Sequence, residues 1–115
     1  MPEIKAKLNY LRQSPRKVRL VADLVRGIRV KEAKVQLEFS PKRASKDLLK
    51  LLNSAIANAK HNFGLNDKEI EKLVIKEIQV DEGPKLKRWI PQPRGVTHPI
   101  YKKTSHITII LEKKE

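Results

Sequence analysis

The segment from Asp81 to Lys103, DEGPKLKRWIPQPRGVTHPIYKK, most constrains what this chain can fold into. Beyond Glu82 no acidic residue follows until Glu112, and four of the chain's seven prolines fall in this segment. Its cationic residues are Lys85, Lys87, Arg88, Arg94, Lys102 and Lys103. A segment this basic and this poor in core-forming residues cannot pack an interior of its own. It is therefore either disordered or ordered by an anionic partner.

Length and charge indicate the nature of that partner. The chain has 115 residues, which predicts one domain over 1–115, and its formal net charge is +13. A small protein with this charge needs a neutralising partner, usually nucleic acid or an anionic membrane surface. No apolar run approaches the roughly 20 residues that span a bilayer. We therefore expect a nucleic-acid partner and no membrane.

The strands predicted on either side of the basic segment give it a shape. Leu73 to Val80 is rich in β-branched residues, and Ile107 to Leu111 alternates, so both predict strands that pair antiparallel. The segment between them, 81–103, is then a hairpin arm that extends roughly 40 Å from the body. Prolines in this arm cannot donate ladder hydrogen bonds, so regular pairing should fail near the tip, where Gly95 allows the reversal.

The first part of the chain predicts a strand followed by a helix. Ile4 to Tyr10 alternates apolar and polar residues, which is typical of a half-buried strand. Ser14 and Pro15 are a good cap and first residue for a helix. The apolar positions of this helix recur at helical spacing, and Gly27 is expected to end it in the left-handed conformation.

The middle of the chain contains an ambiguous element and a clear one. Val30 to Phe39 fits both an alternating strand and a helix, and pattern alone leaves both open. Ser40-Pro41 repeats the earlier cap pattern and predicts the start of a long helix whose apolar stripe runs from Ala44 to Ala59. Asn62 and Gly64 mark its end, and a short turn is expected up to Lys68.

The sequence contains no recognisable catalytic or cofactor-binding arrangement. Asp81 and Glu82 point to opposite sides of a strand, as do Ser105 and His106, so neither pair works as an acid–base or nucleophile–base couple. The histidines, His61, His98 and His106, are too widely spaced for a ligand set. With no cysteine and no glycine-rich phosphate loop, we expect a protein that is not an enzyme, with no cofactor and no metal site.

Two surfaces are candidate RNA contacts. Arg16, Arg19 and Arg26 share one face of the first helix with Asp23. That face is either solvated or RNA-facing, and its three arginines together with the net charge favour RNA. Trp89 and Tyr101 in the arm either pack on the sheet or on each other, or stack on exposed bases. The lysines and arginines would contact phosphates, so binding should weaken steeply with salt.

Several stretches of the chain together resemble one protein family. They are SPRKVRLV at 14–21, RG at 26–27, SAIANA at 54–59, VDEGP at 80–84, KR at 87–88 with Pro91 and Gly95, and TSHIT at 104–108. In order and spacing they are similar to the bacterial type of the L-twenty-two family of large-subunit ribosomal proteins. The resemblance covers nearly the whole chain, and the combination is more specific than any single motif.

The resemblance implies an α+β fold in which a three-stranded antiparallel sheet packs against three helices, with a long extended β-hairpin arm. It also implies that 30–39 is a helix. The implied function is a structural constituent of the large ribosomal subunit that binds 23S rRNA, bridges several rRNA domains during assembly and lines the nascent-peptide exit tunnel with the arm's tip. The alternative from the residues alone is a free-standing basic RNA-binding protein or RNA chaperone.

The expected partners are 23S rRNA, neighbouring ribosomal proteins and the nascent peptide near the tip, with no homo-oligomer. The expected rRNA-binding residues are Arg16, Lys17, Arg19, Arg26, Lys85, Lys87, Arg88, Trp89, Arg94, Tyr101, Lys102, Lys103 and His106. The expected tunnel-lining residues are Pro91, Gln92, Pro93, Arg94, Gly95 and Val96. Gln92 and Val96 stand where the family commonly has arginine, and Pro93 replaces a small alanine. No targeting extension is visible, which favours a cytoplasmic ribosome with an organelle-encoded origin left open.

Overall fold

The computed structural model describes residues 3–91, 95 and 97–114, and these form an α+β fold. Its strands and helices, in chain order, are β1 Ile4–Leu11, α1 Pro15–Val25, α2 Val30–Phe39, α3 Arg43–Asn62, α4 Asp67–Glu71, β2 Leu73–Glu82, β3 Leu86–Pro91, β4 Thr97–Lys102 and β5 Ser105–Lys113.

The central sheet has three antiparallel strands in the order β1-β5-β2. Alternate residues of β5, such as Ile107 and Ile109, are buried against the helices, as the period-2 pattern predicts. In β2 the register shifts between Ile75 and Glu77, and this bulge inserts one extra residue. The shift keeps Ile78 on the buried face, although it follows the buried Ile75 by three positions.

The helices cover one face of this sheet and supply the rest of the core. α3, with 20 residues, packs on β1 and β5, and its small residues Ala55 and Ala59 are fully buried, which allows close approach. α1 packs on β2 and contributes Val18, Val21 and Ala22, all fully buried. No helix in the described part of the chain is both long and apolar enough to cross a membrane.

The helix boundaries confirm most of the sequence predictions. Ser14 caps α1 by accepting a hydrogen bond from the Lys17 backbone N–H at 3.4 Å, with Pro15 in the first turn. Gly27 follows α1 with a φ of 81°, and Gly64 follows α3 with a φ of 64°. The ambiguous segment 30–39 is the helix α2, which buries Val30, Ala33 and Leu37 at helical spacing.

Two local predictions are wrong. Ser40 does not cap α3, because it ends α2 in an extended conformation, and α3 begins at Arg43 with Lys42 as its N-cap. The proline after Ser40 favours this extended backbone. The short turn predicted up to Lys68 ends at Asn66, because Asp67 begins a fourth helix, α4, whose capping box joins Asn66 and Glu69.

The arm is a separate two-stranded antiparallel sheet of β3 and β4. Leu86 pairs with Lys102 at one end of it, and Pro91 pairs with Thr97 at the other. Asp81 and Glu82 still pair with β5, so the chain leaves the central sheet at Gly83. The molecule measures 64 × 26 × 18 Å with a radius of gyration of 17.3 Å. A compact chain of this length would have a radius of gyration of about 13 Å, so the protein is markedly elongated.

Hydrogen bonds join the arm to the body where it leaves the sheet. The Gly83 N–H donates to the Thr104 carbonyl at 2.9 Å, and the buried Thr104 hydroxyl donates to the Pro84 carbonyl at 2.6 Å. Next to Thr104, the buried Ser105 hydroxyl donates to the Gln13 carbonyl at 2.7 Å. These bonds, which we call the root clamp, tie both ends of the arm to the body.

The outer face of the sheet carries an ion-pair cluster. Lys76 Nζ lies 2.6 Å from Glu3 and 3.4 Å from Glu112. The hydrogen bond from Lys76 lowers the pKa of Glu3, and the hydrogen bonds to Glu3 and then to Glu112 raise the pKa of Lys76. The positive charge of Lys76 and the negative charges of these two glutamates therefore partly neutralise one another on this face.

Gly83 in the root clamp leaves no room for a side chain. A Cβ there would clash with Thr104 Oγ1 and lie 3.1 Å from His106 Nε2. We expect Gly83→Ala to lower the free energy of unfolding by about 1–3 kcal/mol, the usual cost of overpacking. The measurement is urea denaturation, with the exposed neighbour substitution Lys85→Ala as a control that stays within about 0.5 kcal/mol. Equal stability of Gly83→Ala and the parent protein would contradict this packing.

Candidate nucleic-acid interface

The arm has two faces because side chains alternate along its strands. Trp89 lies opposite Pro99, and Lys87 lies opposite Tyr101, so these four residues share one side of the ribbon. We call this side the aromatic face. Leu86 and every second residue after it along β3 lie on the other side. Between Gly83 and Leu111 the chain has no acidic residue, so neither face of the arm carries a negative side chain.

The aromatic side chains of the arm are available to a partner. Trp89 is 58% exposed and Tyr101 is 55% exposed. Lys87 Nζ lies 4.5 Å from the centre of the Trp89 ring, a cation–π contact. The indole therefore has a cation beside it and still keeps more than half of its surface open. An exposed aromatic ring next to a cation suits a nucleotide, since the ring stacks on the base and the cation meets the phosphate.

A concave surface lies between the arm and the body, and we call it the root cleft. Its volume is about 630 Å³. The cationic residues that line it are Arg12, Lys17, Arg43, Arg88, Lys102 and Lys103. Leu86, Ile100 and Tyr101 also line it. None of the described residues that line the cleft is acidic.

The cleft combines predicted residues with two that the sequence analysis missed. Lys17, Arg88, Tyr101, Lys102 and Lys103 are among the predicted rRNA-binding residues, and here they border one space. Arg12 follows the last residue of β1, and Arg43 begins α3, 31 positions later in the chain. No local pattern links these two residues, because only the fold brings them together.

The α1 arginines divide between the surface and the body. Arg16 is exposed. Arg19 Nη2 donates to the Val80 carbonyl at 2.9 Å, and Arg26 Nη2 donates to the Ile78 carbonyl at 2.9 Å. Arg26 also pairs with Asp23. Part of the predicted RNA face therefore also holds α1 against β2.

These arginine bonds occupy the open edge of the sheet. β2 is an edge strand, and the loop after α1 covers one end of it, because the Gly27 N–H donates to the Ile75 carbonyl and the Ile75 N–H donates to the Ile28 carbonyl. Further along β2, Arg26 donates to the Ile78 carbonyl and Arg19 donates to the Val80 carbonyl. An uncovered edge would present a template for strand pairing with another chain.

His106 supports the root of the arm. Its Nδ1 accepts a hydrogen bond from the Tyr10 backbone N–H at 3.1 Å, and the two rings meet edge to face with centroids 4.8 Å apart. Tyr10 adopts a φ of 60° at the irregularity between β1 and β5. His106 is therefore engaged inside the protein, and its predicted contact with rRNA stays a prediction. Within the ranges that the structure describes, no three histidine, aspartate or glutamate side chains cluster as metal ligands.

The remaining predicted residues lie along the arm. Lys85 and Lys87 are exposed, as are Arg88, Lys102 and Lys103. Pro91 is exposed at the end of β3, and Gly95 has a φ of 73°, which only glycine adopts readily. The predicted tip residues Gln92, Pro93, Arg94 and Val96 lie outside the described residues.

Comparison with known proteins identifies the family. The family described as ribosomal protein L22p/L17e matches residues 6–112, which covers both the body and the arm. The chain belongs to the ribosomal protein L22p/L17e family. The resemblance found in the sequence motifs is thereby confirmed, and so is the predicted α+β architecture with its hairpin arm.

Individual members of the L22p/L17e family match this chain over almost its full length. The large ribosomal subunit protein uL22 of Desulfitobacterium hafniense (strain DSM 10664 / DCB-2) is 51% identical over 116 residues, covering 100% of this chain and 99% of that protein. The protein of the same name from Chloroflexus aggregans is 47% identical over 112 residues, covering 97% of this chain and 96% of that protein. The one from Clostridium novyi is 46% identical over 112 residues, covering 97% of this chain and 98% of that protein.

The different contacts of the α1 arginines predict different mutant phenotypes. Arg19→Ala leaves the partly buried Val80 carbonyl without its charged donor, so we expect it to lower the free energy of unfolding by about 1–2 kcal/mol. Arg16→Ala, on the same exposed helix face, should change it by less than about 0.5 kcal/mol. Chemical denaturation of both variants measures the difference. An equal loss in the two variants would show that Arg19 has no special role at the sheet edge.

Proposed function

We propose that this protein is a structural constituent of the large ribosomal subunit that binds 23S rRNA. The observation that carries the proposal is its membership of the L22p/L17e family over residues 6–112. The relatives from Desulfitobacterium hafniense and Chloroflexus aggregans carry the name large ribosomal subunit protein uL22. With a formal net charge of +13, the chain has the cationic surface that an RNA-embedded protein requires.

The arm is the principal RNA-binding element in this proposal. The side chains of β3 are almost all exposed, Trp89 and Ile90 among them. A free protein gains little from such an extension, whereas surrounding RNA would supply both the counter-charge and the packing surface. Trp89 and Tyr101 stack on unpaired bases, and the flanking lysines and arginines bind phosphates.

Away from the point where the arm leaves the sheet, the body and the arm contact different parts of the rRNA. The exposed Arg16 on α1 and the cations of β3 and β4 belong to different parts of a molecule 64 Å long. One copy therefore bridges rRNA segments that are distant in the RNA sequence, which stabilises their assembly. The tip, residues 91–96, lines the nascent-peptide exit tunnel, and neighbouring ribosomal proteins complete its surroundings. The protein acts in the cytoplasmic ribosome by binding alone, without catalytic chemistry.

Photocrosslinking combined with density-gradient sedimentation tests this function. A photoreactive phenylalanine derivative replaces Trp89 in one variant of the full chain and Gln92 in another, each expressed in a bacterium with actively translating ribosomes. We expect both variants to sediment with the large subunit, because both keep all the cationic residues of the chain. Trp89 should crosslink to large-subunit rRNA, and Gln92 should crosslink to stalled nascent peptides or tunnel rRNA.

The possible outcomes separate the parts of the proposal. Sedimentation at the top of the gradient with crosslinks to many RNAs would contradict ribosomal incorporation and favour a free-standing RNA-binding protein or chaperone. Crosslinking of Trp89 to large-subunit rRNA, with Gln92 reaching neither the nascent peptide nor tunnel rRNA, would overturn the tunnel location alone. A photoreactive residue at Phe63, which lies just after α3, controls for crosslinking that depends only on residence in the subunit.

A further inference from the structure

We infer that the root cleft binds one single strand of RNA that contacts the body and the arm at the same time. This inference rests on the proposed rRNA binding and names a site for it. The bound strand places its phosphates against the cations of the cleft and thereby fixes the direction of the arm relative to the body. The site includes Arg12 and Arg43, which lie outside the segments that carry the family resemblance.

The charge of the cleft comes from elements that are far apart in the chain. Arg12, Lys17 and Arg43 belong to the body, at the end of β1, in α1 and at the start of α3. Arg88, Lys102 and Lys103 belong to the arm and its return to the body. Like charges that converge in this way repel one another unless an anion lies between them.

No carboxylate in the part of the chain that the structure describes forms an ion pair with a cation of the cleft. Among the described residues, the side chains of Arg12, Lys17 and Arg43 have no ion pair and no hydrogen bond to a protein acceptor. This distinguishes them from Arg19 and Arg26, whose guanidinium groups bond to β2 carbonyls. Arg12, Lys17 and Arg43 therefore keep their side-chain donors for an external anion, whereas Arg88 Nη1 in the arm donates to the Lys87 carbonyl at 2.9 Å.

Among the described residues, one carboxylate forms a hydrogen bond with a residue of the cleft. Gln13 lines the cleft, and its Nε2 donates to Asp47 Oδ2 at 3.0 Å. Asp47 itself is not among the lining residues. The hydrogen bond thus holds this carboxylate in the body, and the cleft surface stays cationic.

The shape and the remaining lining residues favour a single strand. The volume of about 630 Å³ lies within the range of ordinary ligand pockets, about 300–1,000 Å³. Leu86 and Ile100 add an apolar surface that suits a ribose or a base, and Tyr101 borders it. An RNA duplex keeps its bases paired inside, so it would meet this concave surface only with its convex backbone. A single strand uses both the cationic and the apolar surfaces.

Occupation of the cleft couples the arm to the body. The root clamp already joins them through Gly83, Pro84 and Thr104, but these bonds all lie at the base of the arm. An RNA strand between Arg88 of β3 and Arg43 of α3 adds a second point of attachment further along. Two separated attachments determine the direction of a thin ribbon better than one.

Paired substitutions test the cleft directly. The double variant Arg12→Gln/Arg43→Gln removes two body cations of the cleft, and Lys31→Gln/Lys68→Gln removes two exposed cations of α2 and α4, at the end of the sheet away from the arm. Filter binding measures the Kd of each full-length protein for transcribed large-subunit rRNA of Desulfitobacterium hafniense. Titration covers about 50 to 200 mM salt, and thermal unfolding verifies that both variants fold.

We expect the cleft variant to bind at least about tenfold more weakly and to show a log–log salt slope smaller by about 1.4–1.8, corresponding to two lost phosphate contacts. The control variant should change the slope by less than half as much. Equal changes in the two variants would overturn the cleft while leaving rRNA binding intact. Failure of the parent protein to bind the rRNA would overturn the proposed function and the cleft together.

Hydroxyl-radical footprinting then tests whether one strand contacts both parts. If it does, Arg12→Gln/Arg43→Gln and Lys102→Gln/Lys103→Gln lose protection at the same short run of nucleotides, because both pairs border that strand. Loss of protection at two separate RNA sites would show that the body and the arm bind independently, and would overturn the inference. Protection confined to base-paired nucleotides would show that the ligand is a duplex, and would overturn it as well.

Discussion

The antiparallel pairing of β2 with β5 is the interaction on which the rest of the structure depends. It places β5 in the middle of the sheet, between β1 and β2, and so completes the surface on which the helices pack. It also continues to Glu82 and Ser105, which brings the two ends of the intervening segment together. The segment must therefore leave the sheet as a hairpin, and the root clamp fixes the point of departure.

A second constraint is how the chain uses its many cations. Arg19 and Arg26 stabilise the protein itself by covering the carbonyls of the edge strand β2. Lys76 forms ion pairs on the outer face of the sheet. Among the described residues, no carboxylate pairs with a cation that lines the root cleft, and these converging cations repel one another in the free protein. These different uses of cationic residues explain how a chain with net charge +13 folds and still presents a cationic surface.

The sequence predicted the elements whose apolar periodicity is strong, because burial on a single sheet face or helix stripe leaves a clear local pattern. It did not decide α2, where Ala33 and Leu37 fit two periods and only packing on α1 and α3 selects the helix. Ser40 lies between two helices, so its sequence fits the end of one as well as the start of the next. It ends α2 and does not cap α3. The capping box at Asn66 was visible in the sequence and was missed.

The interface was predictable only in part. A run without acidic residues identified the arm, since charge imbalance is a local property of the sequence. The dual role of Arg19 depends on Val80, which lies 61 positions away, and the root cleft depends on Arg12 and Arg43 meeting the arm. Such long-range neighbours carry no local signal. The family match adds the ribosomal setting, which no single residue reveals.

Amide hydrogen exchange of the full-length protein, alone and bound to large-subunit rRNA, tests the central claim most directly. That claim is that the body is stable by itself, whereas the arm beyond its root depends on RNA for its order. In the free protein, we expect the amides of Leu86 to Ile90 to exchange much faster than those of Leu48 to Ala59 in α3, and to become protected when rRNA binds. Exchange of the arm amides as slow as that of α3 in the free protein would contradict the claim.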